Sequence, residues 1–137
     1  MEKVIERYAT ALQTLSTLKN ALDKIERGVP AEYALEVRDS AMQRFKYSFD
    51  TFWKFLKIYL RDVLKMPTES ESPRGVIKEA LSANILSLEE FNMLMDSVTS
   101  RNETSHAYNE LIAESLVYEL PEIYELLHTI LVRIKPN

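Results

Sequence analysis

Apolar residues recur every three or four positions along the first stretch of the chain, which places them on one face of an α-helix. They are Met1, Val4, Tyr8, Ala11, Leu15, Leu18, Leu22 and Ile25, with Ile5 and Leu12 widening the stripe. Gly28-Val29-Pro30 follows, and glycine with a nearby proline is a common helix stop. The pattern predicts a long amphipathic helix that buries one face and ends near Gly28.

The segment of about residues 31–64 contains no glycine or proline after its start and carries two apolar stripes. One stripe is Ala34, Val37, Ala41, Phe45, Phe49, Phe52, Leu56, Tyr59 and Val63, and the other is Met42, Trp53, Leu60 and Leu64. A helix that is apolar on two faces packs against neighbours on both. We therefore expect a long central helix with an aromatic core, while a platform for stacking nucleic-acid bases is the alternative interpretation of its rings.

Shorter helices are predicted after the linker at 66–73. Ser72 and Pro73 form a typical helix start, and Asn84 is a plausible end. Ser87 and Glu90 form a capping-box pattern before the next apolar stripe. The last helix, beyond Pro121, buries Ile123, Leu127, Ile130 and Ile134. The predicted fold is all-α, an up-and-down bundle of five or six helices in a single domain, 1–137.

Composition narrows the possible functions. The chain of 137 residues has no cysteine, two histidines and two glycines, which excludes disulfides, thiolate metal sites and a glycine-rich phosphate loop. It has no HExxH pattern and no paired Glu-x-x-His ligands, so we expect no metal and no cofactor. No apolar run is long enough to span a bilayer, and we expect a cytoplasmic protein. A formal net charge of −4 provides no general attraction to nucleic acid.

The richest chemistry lies in one octapeptide, residues 101–108. Arg101 can hold a phosphate bidentately, and histidine, present here as His106, is a common general acid or base that can move a proton. Asn102 could orient the imidazole or a phosphate oxygen, and Tyr108 adds a phenol. The set suits metal-independent cleavage of a phosphodiester. A capping and surface hydrogen-bond cluster is the alternative that spacing alone favours.

Ser100 and Glu103 fit a second capping box, which predicts a helix beginning at this octapeptide. On one continuous helix Arg101 and His106 would diverge by roughly 140°, and Tyr108 would share the face of Arg101. We therefore expect Arg101 to lie in the turn before the helix and the site to be completed across a two-fold homodimer.

Two further groups are candidates. A basic stripe of Lys54, Lys57, Arg61 and Lys65 on the second helix could bind RNA or an acidic partner, although most such stripes are solvated faces. Lys46 and Asp50 are spaced for an ion pair, and His128 is interpreted as structural.

The octapeptide fits the pattern R-x4-H-x-Y, and several other stretches accompany it. They are Gln43–Asp50, Trp53-Lys54, Ser72-Pro73-Arg74 and Tyr108-Asn109-Glu110. In this combination the chain resembles the HEPN superfamily (higher eukaryotes and prokaryotes nucleotide-binding), specifically its nucleotidyltransferase substrate-binding proteins. The similarity runs over nearly the whole chain.

The resemblance implies a dimeric helical bundle paired with a minimal nucleotidyltransferase as toxin and antitoxin. It implies that Arg101 and His106, with Asn102, cut RNA without metal and leave a 2′,3′-cyclic phosphate. It also implies that the partner can silence the toxin by adding AMP to Tyr108, for which a dimer-interface aromatic is the alternative role. A non-catalytic module that binds substrate for the nucleotidyltransferase is the alternative function.

Overall fold

The computed structural model describes all 137 residues and contains five α-helices and no strand. The helices are α1 (Glu2–Arg27), α2 (Ala34–Ile58), α3 (Pro73–Ser82), α4 (Leu88–Glu103) and α5 (Glu110–Arg133). One π-helical turn, Tyr59–Val63, continues α2 and makes it the long helix of the bundle. The all-α prediction and the long second helix are confirmed. None of the five helices combines the length and the apolar character that crossing a bilayer requires.

The core lies where α1, α2 and α5 pack together, with α3 and α4 closing one side. Four phenylalanines of α2 are fully buried in it: Phe45, Phe49, Phe52 and Phe55. The ring of Phe49 lies 6.2 Å from that of Phe45 and 6.4 Å from that of Phe52, both in tilted arrangements, which aromatic pairs prefer. The aromatic-core interpretation of this helix is confirmed for these residues. Tyr47, another aromatic residue of α2, lies outside this core, and half of its surface is exposed.

Most helix ends follow the sequence signals. Gly28 ends α1 with a φ of 95°, a backbone conformation that glycine adopts without a steric penalty. The Ser72 hydroxyl accepts from the amide of Gly75 at the start of α3. Ser87 and Glu90 form the complete capping box of α4. Asn84, after α3, has a φ of 62°, which asparagine tolerates better than most residues.

Two boundaries differ from the sequence prediction. Pro121 lies inside α5 instead of preceding it. Leu120 and Ile123, on either side of it, are buried in the main core, and their burial offsets the lost amide hydrogen bond. No α-helix begins in the octapeptide at 101–108, because α4 continues through Glu103 and α5 begins only at Glu110.

A charged contact fixes α5 to the start of α4. Arg133 donates two hydrogen bonds to the Glu90 carboxylate, at 2.8 and 2.6 Å, and a third to the carbonyl of Ile85. Glu90 also accepts from the Ser87 amide as part of the capping box. The Arg133 guanidinium lowers the pKa of the Glu90 carboxyl from its ordinary value of 4.5. The same carboxylate therefore serves the helix start and the ion pair.

We expect Glu90→Gln to lower the free energy of unfolding at neutral pH by about 1 kcal/mol, because glutamine keeps the capping box but loses the ion pair. A carboxyl whose folded pKa is lowered stabilises above its unfolded pKa and loses that effect as pH falls through the folded value. The difference between wild type and variant in urea unfolding should therefore shrink below pH 4.5. Glu89→Gln, in the same helical turn, is the control. If the difference in the free energy of unfolding between wild type and Glu90→Gln stayed the same in acid, a stabilising ion pair between Glu90 and Arg133 would be contradicted.

Candidate functional site

Arg101 lies in the last turn of α4 and binds the carboxylate of Asp50 on α2. Its Nε donates to Asp50 Oδ1 and its Nη2 to Asp50 Oδ2, both at 2.9 Å. The two side chains are 25% and 27% exposed, so the pair is half-buried. Hydrogen bonding to Asp50 raises the pKa of Arg101 above its ordinary value. The guanidinium is therefore a fixed cation whose Nη1 edge does not contact Asp50.

A tight turn follows α4 and carries His106. Residues 104–106 form one turn of 3₁₀-helix. The Thr104 hydroxyl donates to the carbonyl of Arg101 at 2.7 Å, and the Ser105 hydroxyl donates to the carbonyl of Asn102 at 3.0 Å. These bonds satisfy carbonyls that the end of a helix leaves without partners. The side chains of His106 and Asn102 are exposed. His106 is thus presented to solvent five residues after the fixed arginine.

Tyr108 is 87% exposed and lies beside His106. The two ring centroids are 6.2 Å apart, with an interplanar angle of 68°. Asn109 accepts from the amides of Leu111 and Ile112 and so caps α5 immediately after the tyrosine. The link between α4 and α5 is consequently fixed at both ends and holds both rings outward.

The predicted local geometry of the octapeptide is wrong in three respects. Arg101 lies at the end of a helix rather than in a turn before one. The Ser100 hydroxyl donates to Glu119 on α5 and caps nothing. Tyr108 lies near His106, because the change from α to 3₁₀ geometry breaks the continuous helix on which the angular argument depended. Buried Leu94 and Val98 explain the difference, since their packing carries α4 through the octapeptide's first three residues.

Asp50 binds Arg101 and not Lys46, the partner that its sequence spacing predicts. Arg44 donates to the carbonyl of Thr17 on α1. Sequence reasoning thus missed Asp50 as a site residue. The sequence feature that could have identified Asp50 is its position between core phenylalanines. A carboxylate next to a core needs a partner, because burying an unpaired charge is costly.

The four cations of the predicted basic stripe have different surroundings. Lys57 pairs with Glu71, and Arg61 donates to Asp62 at 2.9 Å. Lys54 lies 6.0 Å from the ring centroid of Trp53, and Lys65 follows the helix with a φ of 55°. The π-turn at 59–63 also changes the helical register within the stripe. The role of these residues in binding RNA or a partner stays a prediction.

No group of three or more histidine or acidic side chains is arranged to hold a metal ion.

A family model and a solved structure are similar to nearly the whole chain. The family model described as nucleotidyltransferase substrate binding protein like matches residues 5–135. A Thermus thermophilus protein of known crystal structure is 35% identical, with a TM-score of 0.80, and the match covers 92% of this chain and 99% of that one. No curated protein gives a significant match.

Two more distant structures share the fold. One chain of a structure described as tri-AMPylated Shewanella oneidensis HEPN toxin in complex with MNT antitoxin is 16% identical with a TM-score of 0.73, and the match covers 96% of each chain. A toxin–antitoxin structure with AMP-PNP is 14% identical with a TM-score of 0.72, over 96% of this chain and 97% of that one. The bundle is thus similar in fold to chains of these complexes.

Proposed function

The chain belongs to the family of nucleotidyltransferase substrate binding protein like proteins, and on that basis we propose that it is a HEPN-type toxin, a metal-independent endoribonuclease neutralised by a partner minimal nucleotidyltransferase. The observation that carries the proposal is that one short segment, 101–106, holds both an arginine fixed by Asp50 and a solvent-exposed histidine. A cytoplasmic location would give the protein access to RNA and ATP.

Arg101 is suited to stabilising a phosphate in the transition state. Asp50 occupies its Nε and Nη2, which leaves the Nη1 edge for a phosphate oxygen. A donor held in advance by its neighbours need not reorganise when negative charge develops on the phosphate, and this is the main advantage of electrostatic catalysis. The exposed amide of Asn102, next in sequence, is available to a second oxygen or to the imidazole.

His106 supplies the proton transfer. In the proposed step the ribose 2′-oxygen attacks the adjacent phosphorus, the bond from phosphorus to the 5′-oxygen breaks, and a 2′,3′-cyclic phosphate forms. One proton leaves the 2′-hydroxyl and one must reach the departing 5′-oxygen. A neutral imidazole can accept the first and a protonated imidazole can donate the second. A single exposed imidazole serves one of these roles at a time.

A homodimer would supply the second imidazole. Two-fold symmetry brings the same surface of two subunits together, and two exposed His106 side chains facing one cleft would provide the acid and the base. Leu111, which is 78% exposed and follows this segment in α5, gives the surface an apolar component suited to such an interface.

Tyr108 is also suited to modification. In the proposed reaction its phenolic oxygen attacks the α-phosphorus of ATP in the partner's active site, the bond to pyrophosphate breaks, and the phenol loses its proton. The exposure of the side chain would give the partner access to it. The added AMP would place a negative charge and a nucleotide next to His106, whose ring lies 6.2 Å from that of Tyr108. The modification would thereby obstruct the site.

We expect the purified protein to cleave single-stranded RNA in the presence of EDTA, with 2′,3′-cyclic phosphate ends on the products. His106→Ala should lower the cleavage rate by about 100-fold or more, the usual contribution of general acid–base catalysis. His128→Ala is the matched control, because His128 is the other histidine of the chain and is stacked on Tyr124 in α5. Intact RNA after incubation with folded wild-type protein would contradict the proposal.

A second candidate function is a non-catalytic subunit that presents Tyr108, or a bound nucleotide, to the nucleotidyltransferase. The observation that favours it is the existing pairing of Arg101 with Asp50, which already occupies two of the three guanidinium nitrogens. In this case the exposed tyrosine would be the functional group and the arginine would only order the segment.

We expect incubation with the partner nucleotidyltransferase and ATP to add AMP at Tyr108, detected by mass spectrometry of peptides. Tyr108→Phe should abolish the addition. Tyr118→Phe is the control, since Tyr118 is 88% exposed but lies on α5 away from the motif. If both variants lost the same amount of AMP, or if AMP were found at Tyr118, the partner would select tyrosines by exposure alone. That result would contradict the assignment of the addition to Tyr108. RNA cleavage that stops on modification supports the toxin, whereas modification of a protein that cuts no RNA supports the second candidate.

A further inference from the structure

A polar face of α2 lies against the segment that carries the motif. Its members are Asp39, Gln43, Lys46 and Asp50, spaced three or four residues apart and therefore on one side of the helix. Asp50, at one end of this face, binds Arg101. The other three line a cleft whose opposite wall is Thr104, Ser105 and Ala107. The cleft thus adjoins the turn that presents His106.

Lys46 is the cation of this cleft. Its side chain is half-buried, and no carboxylate lies within 4.0 Å of its ammonium group. Arg38 and Lys57 on the same helix have such a partner. Two other cations of α2 lack one, but Arg44 donates to the carbonyl of Thr17 and Lys54 is exposed and lies 6.0 Å from the Trp53 ring centroid. Partial burial of a charge costs free energy unless an opposite charge compensates it. A bound anion would provide that compensation.

Neighbouring groups can recognise more than a phosphate. The Gln43 side chain is exposed and donates through Nε2 to the Tyr47 hydroxyl, and its carbonyl oxygen can accept from a base or a ribose hydroxyl. The Tyr47 ring, half-exposed beside it, offers a flat surface on which a base can stack. The hydroxyl groups of Thr104 and Ser105 donate to backbone carbonyls and keep lone pairs that can accept a hydrogen bond.

We propose that this cleft is a subsite for one nucleotide of single-stranded RNA, with the Lys46 ammonium on a phosphate that neighbours the scissile one, Gln43 on the sugar or base, and Tyr47 stacked on the base. The proposal rests on the proposed ribonuclease function and adds a binding determinant outside the R-x4-H motif. Lys46 is a positioning residue, because it holds a phosphate at which no bond changes.

The test measures RNA binding separately from cleavage. All variants carry His106→Ala, so that the RNA stays intact, and the probe is a fluorescein-labelled single-stranded RNA of mixed sequence followed by fluorescence polarisation over a range of salt concentrations. Removing one cation from a phosphate of a single strand reduces the slope of log affinity against log salt by about 0.7. Lys46→Gln should show that reduction, with affinity falling roughly two- to fivefold, and Lys46→Arg should restore the slope.

Lys78→Gln is the matched control, because it removes the same charge from an exposed position on α3. Its slope should equal that of the parent. An unchanged slope in Lys46→Gln, an equal reduction in Lys78→Gln, or no RNA binding by the folded parent would overturn the proposal. Thermal unfolding of each variant establishes that it is folded.

The outcome is distinguishable from failure of the ribonuclease function. With His106 intact, Lys46→Gln should raise the KM for RNA and leave kcat nearly unchanged, as expected when binding is lost equally from ground state and transition state. A wild type that cuts no RNA but shows the Lys46-dependent slope would overturn the ribonuclease and leave the subsite. A wild type that cuts RNA with the same KM as Lys46→Gln would overturn the subsite alone.

Discussion

Two hydrogen bonds between Arg101 and Asp50 join the middle of α2 to the end of α4. The rest of the candidate site depends on this contact, because the turn bearing His106 begins within three residues of Arg101 and its first hydroxyl is bonded to the Arg101 carbonyl. A half-buried ion pair of this kind adds little net stability, since desolvation of the two charges offsets most of their attraction. Its larger effect is to fix where the helix ends and which way the arginine points.

The same contact binds Nε and Nη2 of the guanidinium and leaves Nη1 without a contact to Asp50. An arginine free in solvent has many rotamers, and ordering it on a substrate costs conformational entropy. Here Asp50 has already ordered the side chain, and the neighbouring Phe49 and Phe52 are fully buried, so the position of Asp50 itself is set by the core. The arginine is therefore connected to the hydrophobic core through one carboxylate. This arrangement suits preorganised electrostatic stabilisation and also orders the segment that presents Tyr108.

The apolar periodicity was sufficient to predict the helices, because burial of one or two faces determines the fold of a bundle. The capping residues Ser72 and Ser87 located two helix starts correctly, since each satisfies amides that have no other partner nearby. The same reasoning failed at Ser100. There the buried residues Leu94 and Val98 continue the preceding helix, and the Ser100 hydroxyl donates to Glu119 of α5 instead of capping a helix. Local patterns cannot reveal a partner that is distant in sequence. Asp50, 51 positions before Arg101, was missed for the same reason.

The most direct measurement is a double-mutant cycle of Asp50→Asn and Arg101→Ala on the rate of RNA cleavage, with folding of each variant checked by thermal unfolding. If Asp50 acts by holding Arg101 on the phosphate, Asp50→Asn lowers kcat, and the double variant cuts no more slowly than Arg101→Ala alone. Losses that multiply in the double variant would show that the two residues act independently. That result would contradict a site built on their contact.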